Sequence, residues 1–225
     1  MLSDYRDTIA ITATILTILQ FLSGTDICRR IVKQGATGDI SGFPFVGGVF
    51  STSVWLTYSL LLNDLSMSVT NAVGLALQMI YLFIYTKYCI SPGAWYATRR
   101  QMAALVTVVA IAMYYVLFSG AEPDVIKTRV GLLCCLGSIV FCAAPLVSLT
   151  QVFSTQCTDV LPFPLILATF LVTGLWWLYG LILQDPFVQY PNLIGCGLAG
   201  FQLLLFVVYP AHRKGTVTNG ESRPV

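Results

Sequence analysis

Between Trp55 and Gly74 the chain reads W-L-T-Y-S-L-L-L-N-D-L-S-M-S-V-T-N-A-V-G, and between Trp176 and Gly195 it reads W-W-L-Y-G-L-I-L-Q-D-P-F-V-Q-Y-P-N-L-I-G. At one fixed offset of 121 residues, with no gap, Trp55 pairs with Trp176, Tyr58 with Tyr179, Asp64 with Asp185, Asn71 with Asn192 and Gly74 with Gly195. The same offset pairs Ile18 with Ile139, Thr37 with Thr158, Thr52 with Thr173 and Tyr88 with Tyr209. Apolar residues repeat by chance in an apolar chain. Trp, Tyr, Asp and Asn recurring in order do not. The chain is an internal duplication, and its fold must hold two like units in one molecule.

Those units belong in a membrane. The 225 residues are 56% hydrophobic and 10% charged, where a soluble domain carries about 25% charged residues. Seven apolar segments run near 8–28, 43–62, 66–86, 101–120, 129–152, 162–183 and 187–209. Each is long enough to cross a hydrocarbon core of ~30 Å, so the expected class is an all-α polytopic membrane protein with seven transmembrane helices. Asp4, Arg6 and Asp7 make a poor signal-peptide leader, so the first run is expected to be a span. Residues 210–225 turn polar and are expected to form a flexible cytosolic tail. A net charge of +2 and a single histidine, His212, argue against nucleic-acid binding, His-based catalysis and metal ligation. The seven cysteines contain no C-x-x-C pair and read as small packing residues.

Lysine and arginine set the orientation. One side of a seven-span chain holds three of them, Arg6, Lys127 and Arg129. The other holds nine: Arg29, Arg30, Lys33, Lys87, Arg99, Arg100, Arg213, Lys214 and Arg223. The positive-inside rule puts the nine in the cytosol, with the N-terminus extracellular or lumenal and the C-terminus cytosolic. The offset maps spans one to three (8–86) onto spans five to seven (129–209) and leaves span four (101–120) over. Three crossings invert a chain, and the extra crossing restores its direction. The two units are therefore parallel, a known plan for transporters with a substrate site between repeats.

Depth selects the candidate site. Asp64 lies in the short outer turn between spans two and three, nine residues after Trp55 and seven before Asn71. Both side chains then lie roughly 10–13 Å below that turn. The same count from Asp185 places Trp176 and Asn192 at the same depth in the second unit. An Asn in hydrocarbon is costly unless bonded. One alone reads as glue between helices, whereas a level, symmetric pair beside two Trp reads as a binding site. Amides donate and accept, which suits a neutral hydroxylated ligand, and indole faces suit the apolar faces of a sugar ring. Asp64 and Asp185 are either plain loop carboxylates or partners of Tyr179 and Tyr58 in a cross-unit outer gate.

Prolines mark bends. Pro44, Pro162 and Pro164 open spans two and six, where they also serve as ordinary helix starts. Pro145 lies inside span five and Pro191 directly precedes Asn192, where each frees a carbonyl and permits a bend. The span centres hold no Asp, Glu, Lys, Arg or His. That favours passive movement of an uncharged solute over ion coupling, leaves no base for an enzyme, and calls for no cofactor.

With G-F-P-F…W-x-x-Y…D…N-x-x-G in one half and L-P-F…W-x-x-Y-G…D…P-N-x-x-G in the other, the chain closely resembles the SWEET sugar transporters of the MtN3/saliva family, over residues ~8–210. The resemblance implies two three-helix bundles joined by a linker helix, each bundle packed in the order one, three, two. It implies bidirectional uniport of a sugar by alternating access. It places the pocket asparagines on Asn71 and Asn192, and the pocket aromatic on Trp176 with Trp55 as its twin. It places the outer gate on Tyr58 and Asp185, and the bending prolines on Pro44, Pro145 and Pro162. Where plant members carry a further proline in the first span, this chain has Gly24, the repeat partner of Pro145, and glycine still permits a bend there. The bulk of Trp55 predicts a narrow pocket that prefers a monosaccharide such as glucose. A PQ-loop amino-acid exporter is an alternative, but no Pro-Gln dipeptide occurs. A small seven-helix receptor needs no repeat, and neither D-R-Y nor N-P-x-x-Y is present. Plasma-membrane and Golgi locations both fit the sequence, as does a homo-oligomer.

Overall fold

In the computed structural model, which describes residues 3–209, each apolar run becomes a helix, and two of the runs become helix pairs. After a 3-10 turn (Ser3–Tyr5) come α1 (Arg6–Leu22) and α2 (Gly24–Gln34), the halves of one 29-residue rod. Then follow α3 (Phe43–Leu61), α4 (Leu65–Tyr88) and the linker α5 (Pro92–Phe118). A second broken rod, α6 (Pro123–Phe141) and α7 (Ala143–Thr155), leads into α8 (Phe163–Leu183) and α9 (Pro186–Val208). Six of these rods are long and apolar enough to cross a membrane. The seventh, α3, has 19 residues and reaches about 28 Å; its Ser51, Thr52, Ser53, Thr57 and Tyr58 lower its hydropathy. The tail expected at 210–225 lies outside the described residues.

The helices differ from the apolar runs in extent and in continuity. The linker helix begins at Pro92 rather than near 101, because Ser91 caps it by accepting from the Ala94 N–H and Pro92 fits the first helical turn. The first and fifth spans are broken, at Ser23 and Cys142.

In the first unit α4 packs between α1–α2 and α3; in the second, α9 packs between α6–α7 and α8. The order within each bundle is thus first, third, second. The units meet along two seams, α1 on α8 and α3 on α6, and the linker α5 lies against the α3–α6 seam. The repeat extends to backbone conformation. Asn63 and Gln184, 121 residues apart, are both left-handed (φ 52° and 54°) and end their helices in the same tight turn. Asp64 N–H then donates to Ser59 O and Asp185 N–H to Gly180 O, at 3.0 and 3.1 Å.

The buried side chains divide unequally along the rods. At the Asp64/Asp185 end one core spans both units, with Ala10, Ala13, Val54 and Tyr58 packed together with Cys134, Val172, Tyr179 and Val188. At the other end each unit keeps its own core: Cys28, Ile31, Phe45, Tyr81 and Tyr85 in the first, Leu149, Val152, Leu161, Ile166 and Leu205 in the second. The shared buried core therefore joins the units at one end, while toward the other they meet through the Phe141 ring of the second unit against Gly47 and near Phe43 of the first.

Candidate functional site

Where the shared core ends, a cavity of about 490 Å³ begins between the units. Trp55, Asn71, Trp176 and Asn192 all line it. The cavity wall continues to Pro44, Gln78 and Gln202, toward the end where the cores are separate. Gln78 lies seven residues beyond Asn71 and Gln202 ten beyond Asn192, so the wall runs on for roughly 10–15 Å.

Each asparagine donates one N–H to the carbonyl four residues back in its own helix, Asn71 to Met67 O and Asn192 to Val188 O, both at 2.8 Å. Neither bond ties one helix to another. This local bond fixes the amide rotamer and leaves the amide oxygen and second N–H as polar equipment of the cavity wall.

The tryptophans are not equivalent. Trp176 is buried, and its indole N–H donates to Thr17 Oγ1 of the other unit at 2.9 Å. Trp55 is only half-buried. Each ring sits edge-on to the tyrosine one turn later, Trp55 to Tyr58 with centroids 6.0 Å apart and Trp176 to Tyr179 at 5.6 Å.

Above this layer the cavity is closed by two crossed hydrogen bonds. Tyr58 donates to Asp185 Oδ2 at 2.7 Å, and Tyr179 donates to Asp64 Oδ2. Both tyrosines are almost fully buried. Each aspartate is also the N-cap of its helix, through its other oxygen. Asp64 Oδ1 accepts from Met67 N–H, and Asp185 Oδ1 accepts from Phe187 and Val188 N–H. The two latches also differ in charge: the Arg6 guanidinium lies 3.8 Å from Asp64 Oδ2, whereas its repeat partner Lys127 pairs with Asp124.

The bend residues fall into two groups. Pro44 is the second residue of α3 and Pro162 caps α8, so both are helix starts. Gly24 and Pro145 lie at the two breaks, as the first residue of α2 and the third of α7. A Cβ at Gly24 would stand 2.6 Å from the Tyr81 ring. Tyr81 in turn donates to Phe21 O at 3.2 Å and lies 2.9 Å from Thr25 Oγ1, bracing the break. Pro191 lies inside α9, and Phe187 O, the carbonyl four residues before it, lies 3.7 Å from the Cys135 thiol of α6.

Contributors that sequence reasoning missed include Thr17, which holds Trp176; Arg6, beside Asp64; and Gln20, whose Nε2 donates to Thr169 Oγ1 across the α1–α8 seam at 2.8 Å. Gln20 carried a signal, an amide in an apolar run, but its repeat partner is Phe141, so a search for duplicated residues passes over it.

Comparison with known proteins bears directly on this arrangement. A family model described as a sugar efflux transporter for intercellular exchange (MtN3_slv) matches twice, over residues 7–93 and 128–214. A sugar transporter SWEET1 of Drosophila pseudoobscura pseudoobscura is 39% identical over 199 residues, covering 88% of this chain and 87% of the relative. A sugar transporter SWEET1 of Caenorhabditis elegans is 36% identical, covering 93% and 68% respectively. A solved eukaryotic SWEET transporter superposes with a TM-score of 0.84 at 25% identity, over 92% of this chain and 97% of that one. With both halves of the duplication matched and the fold shared over 92% of its length, this chain belongs to the MtN3/saliva family of SWEET transporters.

Proposed function

We propose that the protein carries a neutral sugar, a monosaccharide such as glucose, across its membrane by uniport in either direction. The observation that carries this reading is the cavity itself. Paired asparagines and tryptophans from two pseudo-symmetric units face one space, which is latched at one end by crossed Tyr–Asp bonds and walled by separate cores at the other. The asparagine amides supply donors and acceptors for sugar hydroxyls, and the indoles supply apolar faces. With the Lys- and Arg-rich side in the cytosol, the latched end faces outward and this conformation is the inward-facing one. Transport then needs the latches to break while the far ends of the two units close, with Gly24, Pro145 and Pro191 as bending points and Pro44 and Pro162 as the helix starts that move against each other. Each latch tyrosine rests on a cavity tryptophan, so a sugar on the indole acts directly on the latch.

The test is uptake and counterflow of labelled glucose in proteoliposomes at two external pH values. The expected result is saturable, pH-insensitive uptake with counterflow, lost in Asn71→Ala and in Asn192→Ala. Normal uptake in both variants would move the site elsewhere, and absence of uptake by correctly inserted wild-type protein would overturn the sugar assignment.

A further inference from the structure

The half of the central cavity farther from the latches carries more unspent hydrogen-bonding capacity than the asparagine layer does. Gln202 is 6% exposed, lines the cavity, and has no side-chain hydrogen bond among the described residues. Its amide atoms are not among the buried atoms sealed from solvent, so the amide opens on the cavity. Its repeat partner Tyr81 is spent differently, donating to Phe21 O to brace the first break. A buried amide left without such a bond is costly unless something in the cavity answers it.

Gln202 has company. Gln78 and Ser51, both half-buried, line the same cavity and also make no side-chain hydrogen bond among the described residues. The Gln78 amide lies flat over Gly48, where a Cβ would stand 2.5 Å from it, so the glycine makes room for an amide on the wall. Two half-buried aromatic rings, Phe21 and Phe141, line the cavity beside them. This half therefore repeats the chemistry of the other: a pair of amides and a pair of aromatic rings, one of each from either unit. No charged residue lines the cavity among the described residues, which suits a neutral, many-hydroxyl ligand and disfavours an ion.

The two layers are too far apart to serve one ring. Gln78 lies about 10 Å along its helix from Asn71, and Gln202 about 15 Å from Asn192. A pyranose is shorter than either rise. We infer that the far half of the cavity is a second hexose subsite, in which sugar hydroxyls bond Gln78, Gln202 and Ser51 and the ring lies against Phe21 or Phe141. This rests on the sugar reading above. A sugar leaving the asparagines then exchanges one set of amides for the next, which lowers the desolvation cost of each step.

Cys142 lines this half and serves as the reporter. The repeat sets it near Gln202, since their partners Phe21 and Tyr81 are in contact. Full-length protein lacking the other six native cysteines is alkylated in nanodiscs with a water-soluble maleimide, with and without D-glucose. Glucose is expected to slow alkylation of Cys142. Protection should persist when Asn71→Ala and Asn192→Ala are combined, which separates occupancy of this half from any closure driven by the asparagine layer. The half-protecting glucose concentration should rise roughly 3- to 10-fold in Gln78→Leu and in Gln202→Leu, the loss of one hydrogen bond. Gln78 is half-buried, so Gln78→Leu keeps the test decisive should Gln202→Leu fail to assemble. Loss of protection in the asparagine variant, or an unchanged half-protecting concentration in either glutamine variant that assembles, would overturn the inference. Unprotected Cys142 in protein that takes up glucose would overturn the second subsite alone. Absence of both uptake and protection would overturn the sugar reading and the subsite with it.

Discussion

Tyr58 and Asp185 are 127 residues apart in sequence and 2.7 Å apart in space, joined by a hydroxyl-to-carboxylate hydrogen bond that crosses from one repeat to the other. A hydrogen bond to a charged group contributes about 1.5–3 kcal/mol, so its loss shifts a two-state equilibrium roughly 10- to 150-fold. Tyr58→Phe keeps the ring against Trp55 and Phe187 and removes only the bond. The expected outcome is faster modification, from the Asp64/Asp185 side, of a cysteine placed at Met67, which is buried beneath the latches. The background is a variant lacking the seven native cysteines. An unchanged rate would mean that this bond does not hold that end shut.

The asparagine variants should separate function from stability. Each amide bonds only within its own helix, and alanine is the better helix former by up to ~0.7 kcal/mol. Asn71→Ala and Asn192→Ala are therefore expected to lose glucose uptake with little change in thermal midpoint. A fall of many degrees in both would identify the pair as inter-helix glue.

Gly24 is expected to act through packing as well as bending. Adding a methyl there drives it into the Tyr81 ring, and overpacking of this kind costs about 1–3 kcal/mol. Gly24→Ala should lower the thermal midpoint in detergent, and Tyr81→Leu in the same chain should recover part of the loss. If Gly24→Ala keeps full stability and loses transport, bending is the whole of its role.

Trp55 is the cavity residue with room to change. Its repeat partner Trp176 is fixed by Thr17, whereas Trp55 is half-buried at the cavity wall. Trp55→Ala enlarges the cavity, so sucrose uptake should rise relative to glucose uptake. Equal uptake of both sugars by the wild type would remove the basis for a monosaccharide preference.

The sequence revealed most where symmetry was strict. Trp, Tyr, Asp and Asn in tandem pointed to the units, their parallel setting and the residues that line the cavity or close it, because a duplicated polar residue in an apolar chain stands out against chance. The same filter hid whatever the two halves do differently. Gln20, Gln78 and Gln202 all line the cavity, but their repeat partners are Phe141, Ala199 and Tyr81. The break after α1 showed in the sequence only through Gly24, the repeat partner of Pro145, and not as an end of the apolar run. Ser23 and Gly24 do not end an apolar run, and the bend depends on Tyr81 arriving from α4, a contact no local pattern records. Cys142 breaks the fifth span three residues before Pro145, whose missing N–H is a cause visible in the chain itself.

In Asp64 and Asp185 the two carboxylate oxygens have separate duties, one facing the backbone of its own helix and the other facing the tyrosine of the opposite repeat. In the transport cycle proposed above, unlatching releases only the second oxygen, so the helix ends would keep their caps as the mouth opens. The division also gives natural variation two independent dials. Exchanging aspartate for asparagine preserves the helix start while changing how firmly the mouth is held, and exchanging tyrosine for phenylalanine resets the grip without touching the backbone.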